Sequence, residues 1–158
     1  YLLSIGATLF HRADMKASTE AFSEDAFWLL GSDGAGTFDA LSNFPHTLGS
    51  KAFQEAGFYI MRSGRNYLLA CCNTVGTAGA GNHKHNDLLS FELYVGDRSF
   101  IVDPGTYLYT ASPEWRNRFR STGFHNTVVI DGQEQNRFKQ NSVFPLIADS
   151  EPIIHQCR

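Results

Sequence analysis

Apolar residues follow a helical spacing in the first part of the chain. They recur every three or four positions over residues 2–12, which predicts a helix there. A second helix is predicted by i, i+4, i+7, i+8 spacing at Phe22, Ala26, Leu29 and Leu30. Ser23 is its expected N-cap and Gly31 its expected end. Residues 31–50 are rich in Gly, Ser, Asp and Pro, which predicts a linker.

From Phe58 onwards the pattern shortens to that of β-strands. Short apolar or alternating runs, separated by turn residues, predict strands over 58–62, 67–72, 88–95, 98–102, 127–130 and 142–147. Gly96-Asp97 predicts a two-residue hairpin turn. We therefore predict a mainly β protein, in which residues 50–158 form an antiparallel β-sandwich. A short helical segment and linker, residues 1–49, precede it.

Composition narrows the class of protein. With 158 residues, 42% of them hydrophobic, the chain is long enough to bury a core. A net charge of -3 gives no basic field for nucleic acid, and no apolar run reaches the ~20 residues that cross a bilayer. Cys71, Cys72 and Cys157 do not form a disulfide framework and are expected to be buried thiols. The opening residues carry no signal-peptide pattern, and we expect the chain to be part of a longer protein.

Candidate metal ligands gather at the ends of the predicted strands. His83 and His85 lie two positions apart, so on an extended backbone they project to the same side. A zinc-like ion prefers imidazole nitrogen and carboxylate oxygen. Spacing therefore leaves five candidates: His83, His85, Asp87, Asp103 and His125.

Strand register bears on this set. A strict hairpin places Val95 opposite Arg98, and the same register places Asp103 opposite Ser90 instead of near His85. For both ligands to reach one ion, the chain must bend or bulge around residues 86–87.

The segment 113–120 interleaves arginines with aromatic residues. Its members are Trp115, Arg116, Arg118, Phe119 and Arg120. Guanidinium groups bind carboxylate or sulfate bidentately and aromatic faces stack on sugar rings, so the segment suits an anionic glycan. The alternative is a solvated loop with snorkelling arginines. Among the residues in and near it, Arg116, Arg120 and Tyr109 are candidate substrate contacts.

Three blocks of sequence resemble the heparinase II/III-like polysaccharide lyases, in that family's order. They are GNHKHNDLLSFEL (residues 81–93), VDPGT (102–106) and RSTGFHNTV (120–128). Upstream, GFYIMR (57–62) is similar to the strand that opens the family's C-terminal β-domain. The resemblance covers residues 50–140.

This resemblance implies an N-terminal α/α toroid followed by an antiparallel β-sandwich, with residues 1–30 as the last toroid helices. It implies β-elimination of an acidic, uronate-containing polysaccharide between the two domains, and hence a periplasmic or secreted protein. It also implies a structural metal, usually zinc, held by His85, Asp103 and His125. His83 would face the uronate as a catalytic residue. The family's catalytic Tyr comes from the toroid and has no match here, so we expect the chain alone not to be a competent lyase.

Two other functions remain open on the sequence. A cupin-like metal oxygenase also begins with a His-x-His strand and adds a later His, but its Glu position falls on Leu89 here. The second alternative is a non-catalytic β-sandwich that binds or scaffolds glycan during polysaccharide assembly.

Overall fold

The computed structural model describes residues 1–42, 49–76, 81–96 and 98–155. The chain divides into two compact units, Tyr1–Leu48 and Gly49–Arg158. Parts of some predicted features lie outside the described residues, namely 43–48 of the linker, 77–80 of the glycine-rich approach to His83, Asp97 of the hairpin turn, and Cys157. In the described part of the chain, no helix has the length and apolar content needed to cross a membrane.

Three helices make up the described part of the first unit. They are α1 (Leu2–Leu9), α2 (Ala13–Ala17) and α3 (Glu24–Ala40). The predicted helix over residues 2–12 is present but ends early, because His11 has a left-handed backbone with φ 49° that a continuous helix does not allow. The chain then enters α2, which the apolar spacing did not predict. Helix α1 contacts both of the others.

Helix α3 begins as predicted, and its first part ends at Gly31 as predicted. The Ser23 hydroxyl accepts a hydrogen bond from the Ala26 N–H at 3.2 Å, which makes Ser23 the N-cap. Gly31 leaves the helical conformation, with φ 63° and ψ −164°. Beyond this kink the chain becomes helical again and continues to Ala40.

The linker prediction is therefore wrong for residues 32–40. Their glycines and aspartates are weak helix formers, which is why the sequence pattern favoured a linker. Phe38 is only 4% exposed, and its ring lies 5.4 Å from that of Phe22. Burial of this aromatic pair outweighs the low helix propensity of the segment.

The second unit contains a five-stranded antiparallel sheet whose strand order follows chain order. Its strands are β1 (Lys51–Phe53), β2 (Phe58–Ser63), β3 (Asn66–Cys71), β4 (Ser90–Val95) and β5 (Arg98–Ile101). Gly64 and Gly96 have positive φ, which allows the tight turns after β2 and β4. The prediction of a mainly β, antiparallel protein behind a short helical segment is confirmed. Strand β1 was not predicted.

Two predicted strands are not formed. Residues 127–130 pair with no strand in the described part of the chain, and Ile130 is 71% exposed. Residues 142–147 contribute only an isolated antiparallel bridge between Leu146 and Phe138. An apolar run becomes a strand only where a sheet edge is free to pair with it, and local propensity does not contain that information.

A bulge changes the register at the last hairpin. Val95 faces Arg98, as predicted, but the pairing shifts by one residue between Leu93 and Tyr94, so Leu93 faces Ile101. Because side chains alternate between the two faces of a strand, a one-residue shift reverses the face of every later residue. The strict register used to place Asp103 is therefore wrong.

The arginine-rich segment forms a helix, α4 (Pro113–Phe119). The Ser112 hydroxyl accepts a hydrogen bond from the Trp115 N–H at 3.5 Å, and proline at the first helical position suits this start. Arg116 and Arg120 lie one turn apart, and both are 0% exposed. The alternative of a solvated loop with snorkelling arginines is wrong for these two residues.

Arg120 ties the end of α4 to the segment around residue 144. Its guanidinium donates hydrogen bonds to the carbonyls of Ser142 (3.1 Å), Phe144 (2.9 Å) and Pro145 (3.4 Å), and Nε donates to Asn117 Oδ1 (2.9 Å). Burial lowers the pKa of Arg120 to about 10, which still leaves it charged at neutral pH. Contact with substrate would require these bonds to break, so the predicted role of Arg120 as a substrate contact gains no support from its position.

Asn86 anchors the loop that carries the two predicted active-site histidines. It is fully buried, and its backbone N–H donates to the Arg120 carbonyl at 2.9 Å. Its side-chain amide donates to Glu134 Oε2 (2.7 Å) and to the Asn136 carbonyl (2.8 Å), and its Oδ1 accepts from the Asn136 N–H (3.1 Å). A buried amide with all of its donors satisfied specifies one loop position.

We expect Arg120→Met to lower the free energy of unfolding by about 3 kcal/mol, because three carbonyls lose a charged donor and the methionine cannot replace it. Urea denaturation at neutral pH measures this. Arg137→Met is the matched control, since Arg137 makes a solvent-exposed ion pair with Asp149 and should change the urea midpoint little. Equal losses in the two variants would contradict the role assigned to Arg120.

Candidate active site

Three segments that are distant in the sequence meet next to the start of β4 and the end of β5. The Asn126 side chain donates hydrogen bonds to the carbonyls of Phe91 (3.3 Å) and Val102 (2.8 Å). It thereby holds the 120s segment against both strands. The side chains brought together by these contacts are those of His85, Asp103 and His125.

His125 and Asp103 form a hydrogen-bonded pair, with 2.6 Å between Nδ1 and Oδ2. The Gly105 N–H also donates to Asp103 Oδ1, at 2.8 Å. Burial opposes ionisation of the carboxyl, but the hydrogen bonds from His125 and Gly105 outweigh it and lower the pKa of Asp103. The carboxylate favours the tautomer with a proton on Nδ1, which leaves a lone pair on Nε2. That nitrogen is buried and has no hydrogen-bond partner among the described residues.

His85 lies beside this pair, with its ring centroid 5.2 Å from that of His125. Burial, together with the nearby positive charge of Arg116, lowers the pKa of His85 to about 4. The ring is therefore neutral at pH 7. Its Nε2 lies 2.6 Å from NH1 of Arg116, which requires Nε2 to be the acceptor of this hydrogen bond.

Arg116 is a buried cation without a carboxylate partner in the described part of the chain. Its Nε and NH2 groups have no hydrogen-bond partner there. The guanidinium lies 5.4 Å from the ring centroid of Tyr109 and 5.7 Å from that of Phe144, and burial lowers the pKa of Arg116. Arg116 thus contacts His85 and two aromatic rings from a buried position, and its predicted role as a substrate contact stays a prediction.

His83 is turned differently from His85. Its backbone is left-handed, with φ 62°, so the two histidines do not lie on one extended strand. The His83 ring is exposed and packs against Phe144 (4.8 Å) and Tyr109 (5.7 Å). The expectation that His83 and His85 project to one side from a strand is wrong, because the backbone turns at His83.

Asp87, the fifth candidate ligand, is engaged elsewhere. Its Oδ1 lies 2.5 Å from Nζ of Lys84, which also donates to Asn73 Oδ1. The chain bends at Asn86, as expected, and Leu89 a few residues later has a left-handed backbone with φ 60°.

The donor set of His85, Asp103 and His125 suits zinc. Imidazole nitrogen and carboxylate oxygen are its preferred ligands, and among the described residues the buried Nε2 of His125 has no hydrogen-bond partner. Within the described residues, however, no three His, Cys, Asp or Glu side chains are already arranged to hold a metal ion. One reason is visible at His85, whose Nε2 is taken by Arg116. The residues fit the ion chemically, but not while this contact is made.

Sequence reasoning missed the residues that position this cluster. Glu134 Oε2 accepts hydrogen bonds from Asn86 and from the N–H and hydroxyl of Thr122, at 2.7–2.8 Å. The Gln135 side chain accepts from the Leu88 N–H at 3.0 Å and donates to the Leu88 carbonyl at 2.8 Å, as a neighbouring strand would. Asn86 lies inside a recognisable block, whereas no spacing or motif marks residues 134–136.

Comparisons with known proteins agree with the three sequence blocks. The family model described as Heparinase II/III-like, C-terminal, matches residues 45–151. The heparin-sulfate lyase of Pedobacter heparinus is 28% identical over 113 residues, covering 65% of this chain and 17% of the relative.

Solved structures give the same likeness. The crystal structure of a mutant heparan sulfate lyase from Pedobacter heparinus has a TM-score of 0.53 at 25% identity and covers 78% of this chain and 20% of that one. A heparinase III gene product with methylated lysines has a TM-score of 0.55 at 24% identity over 81% of this chain and 18% of its own, which supports the fold alone.

The chain spans at most 20% of the length of these relatives. The matched region, residues 45–151, includes the whole sheet and all of the candidate site residues, and it is more than half of the chain. The family match also removes the cupin-like alternative. The chain belongs to the heparinase II/III-like family, of which it represents the C-terminal part.

Proposed function

We propose that this chain is part of a lyase that cleaves an acidic, uronate-containing polysaccharide by β-elimination. The observation that carries the proposal is the meeting of three family blocks around His85, Asp103 and His125 at one end of the sheet. The names of the relatives, heparin-sulfate lyase and heparan sulfate lyase, support a glycosaminoglycan-like substrate.

β-Elimination at a uronate removes the C5 proton, breaks the bond from C4 to the leaving oxygen and forms a C4–C5 double bond. It needs a group that neutralises the carboxylate, a base for the C5 proton and an acid for the leaving oxygen. We assign the first task, or part of the second, to His83, because its ring is exposed. Tyr109, 50% exposed and beside His83, is the proposed sugar contact. The remaining acid and base functions are assigned to the upstream toroid.

A zinc ion held by His85, Asp103 and His125 would have a structural role in this proposal. When bound, it would supply a positive charge that links the loop carrying His85, the turn at Asp103 and the segment carrying His125. Asp103 already orients His125, and Asn86 fixes the loop that carries His85. His83 keeps its place through Phe144, whose carbonyl accepts a hydrogen bond from Arg120.

The substrate class leads us to propose a periplasmic or secreted location. Cell fractionation with an antibody against the chain tests this, and recovery in the cytoplasm alone would contradict it.

We expect the isolated chain to release no unsaturated uronate from heparin-type polysaccharide, whereas the same chain joined to its proposed toroid does. The ultraviolet absorbance of the new double bond measures the product. The joined protein with His83→Ala is expected to lose at least ~100-fold in rate, as is typical for a positioned acid or base. Polysaccharide binding without product from the joined protein would instead favour the non-catalytic glycan-binding alternative.

Metal content and activity should separate at the two histidines. We expect His85→Ala to lose zinc and thermal stability together, because it removes a proposed ligand. His83→Ala should keep its zinc, because its ring packs on Tyr109 and Phe144 instead. Elemental analysis and thermal denaturation of the isolated chain measure both. Equal zinc loss in the two variants would refute this division of roles.

Arg116 should compete with the metal for His85. A metal ion and NH1 of Arg116 cannot both occupy Nε2 of His85, and the guanidinium also repels a cation. We therefore expect Arg116→Met to tighten zinc binding by about tenfold, which corresponds to ~1.4 kcal/mol. Competition titration against a chromogenic chelator measures the affinity, with Arg62→Met as the control for charge loss away from the site. Unchanged or weaker zinc binding in Arg116→Met would contradict the competition.

A further inference from the structure

The arginines on and next to helix α4 differ in burial. Arg116 and Arg120 are fully buried, whereas Arg118, between them, is exposed. At 100° per residue, Arg118 lies about 200° around the helix from Arg116 and only about 60° from Trp115. The cation available to a ligand on this helix is therefore Arg118, which the sequence analysis did not select.

Arg118 lies at a cluster of four aromatic rings and contacts two of them, Trp115 and Phe124. Tyr107 stacks on Phe119 with 4.9 Å between ring centroids and a 26° interplanar angle, and it meets Trp115 edge-on at 5.8 Å. Phe124 lies 5.1 Å from Phe119. We call these four residues and Arg118 the Trp115 surface.

Much of the Trp115 surface is open. Tyr107 is 64% exposed, Trp115 40% and Phe124 36%. Tyr107 also has a left-handed backbone, with φ 58°, a conformation that costs energy in a residue with a bulky side chain and here accompanies the stacking on Phe119.

The guanidinium of Arg118 lies 4.8 Å from the ring centroid of Trp115 and 5.6 Å from that of Phe124. Among the described residues no carboxylate pairs with it. Cation–π contact holds it over the rings while its N–H donors remain available. A purely apolar partner would bury this charge without compensation, at a cost of several kcal/mol.

We propose that the Trp115 surface binds one anionic sugar unit of a polysaccharide. The sugar ring would lie on the exposed faces of Tyr107 and Trp115, and its carboxylate or sulfate would accept hydrogen bonds from Arg118. This subsite includes neither His83 nor a buried arginine, and it rests on the proposed function only in taking an acidic polysaccharide as the ligand.

Trp115 itself can report binding. The sequence contains two tryptophans, and the other, Trp28, is 77% exposed in the first unit. In a Trp28→Phe background of the full chain, all tryptophan emission therefore comes from Trp115. Titration with a heparin oligosaccharide should produce a saturable change in this emission.

Variants of the Trp115 surface separate the ring contact from the charge. In the Trp28→Phe background, Arg118→Gln should weaken oligosaccharide binding about tenfold and Tyr107→Leu about threefold. Arg62→Gln is the matched control, because Arg62 also lies over a single tyrosine ring, 4.5 Å from Tyr67, without the four-ring cluster. It should change binding less than twofold.

Three polymers test whether binding requires an anionic sugar. Heparin and an unsulfated polyuronate should both bind, and neutral dextran should not. Equal weakening by Arg62→Gln and Arg118→Gln would overturn the subsite and leave only general charge attraction. If Arg118→Gln bound the acidic polymers with wild-type affinity, the subsite would be overturned but the proposed function would not. No binding of either acidic polymer by the parent chain would also overturn the subsite, whereas the proposed function is tested separately by product release from the joined protein.

Discussion

Hydrogen bonds from buried side chains to the backbone hold the second unit together where its sheet ends. Beyond β5 the described residues form only the short helix α4, one 3-10 turn and an isolated bridge, so strand pairing cannot satisfy most of their peptide groups. Arg120 and Asn86 take over this task by bonding carbonyls and amides from the 80s, 130s and 140s segments. The placement of His83 and His85 depends on these contacts, because the loop that carries them has no strand ladder to align it.

The arginines on and next to α4 differ strongly in burial. Two guanidinium groups are buried, and one of them, Arg116, lies against a neutral imidazole, with two of its nitrogens unpartnered among the described residues. A buried cation of this kind is costly unless something compensates it. We attribute the presence of this buried cation to the proposed site, in which Nε2 of His85 either accepts a hydrogen bond from Arg116 or binds a metal ion. Arg118, in contrast, is exposed to solvent, and its guanidinium lies over the ring of Trp115.

Prediction from the sequence succeeded where a pattern is local. Ser23 caps α3, four of the six predicted strands form, and Val95 faces Arg98. The three blocks of residues that resemble the heparinase II/III-like family were also sufficient to select its C-terminal part, which the family match confirmed. Prediction failed at residues 32–40, 127–130 and 142–147, where burial or the lack of a pairing edge overrides local preference. The role of the metal ligands stays a prediction.

The sequence by itself determined the mainly β class, the family and the small set of histidines and carboxylates from which a site could be built. These depend on residue identity and on spacing along one chain. Tertiary structure alone decided that His83 and His85 diverge, that Asp87 turns to Lys84, and that Arg116 and Arg120 are buried while Arg118 is exposed. The divergence of the histidines depends on the positive φ of His83, and the burial of Arg116 and Arg120 depends on partners more than twenty residues away. No periodicity within a single segment encodes contacts of that kind.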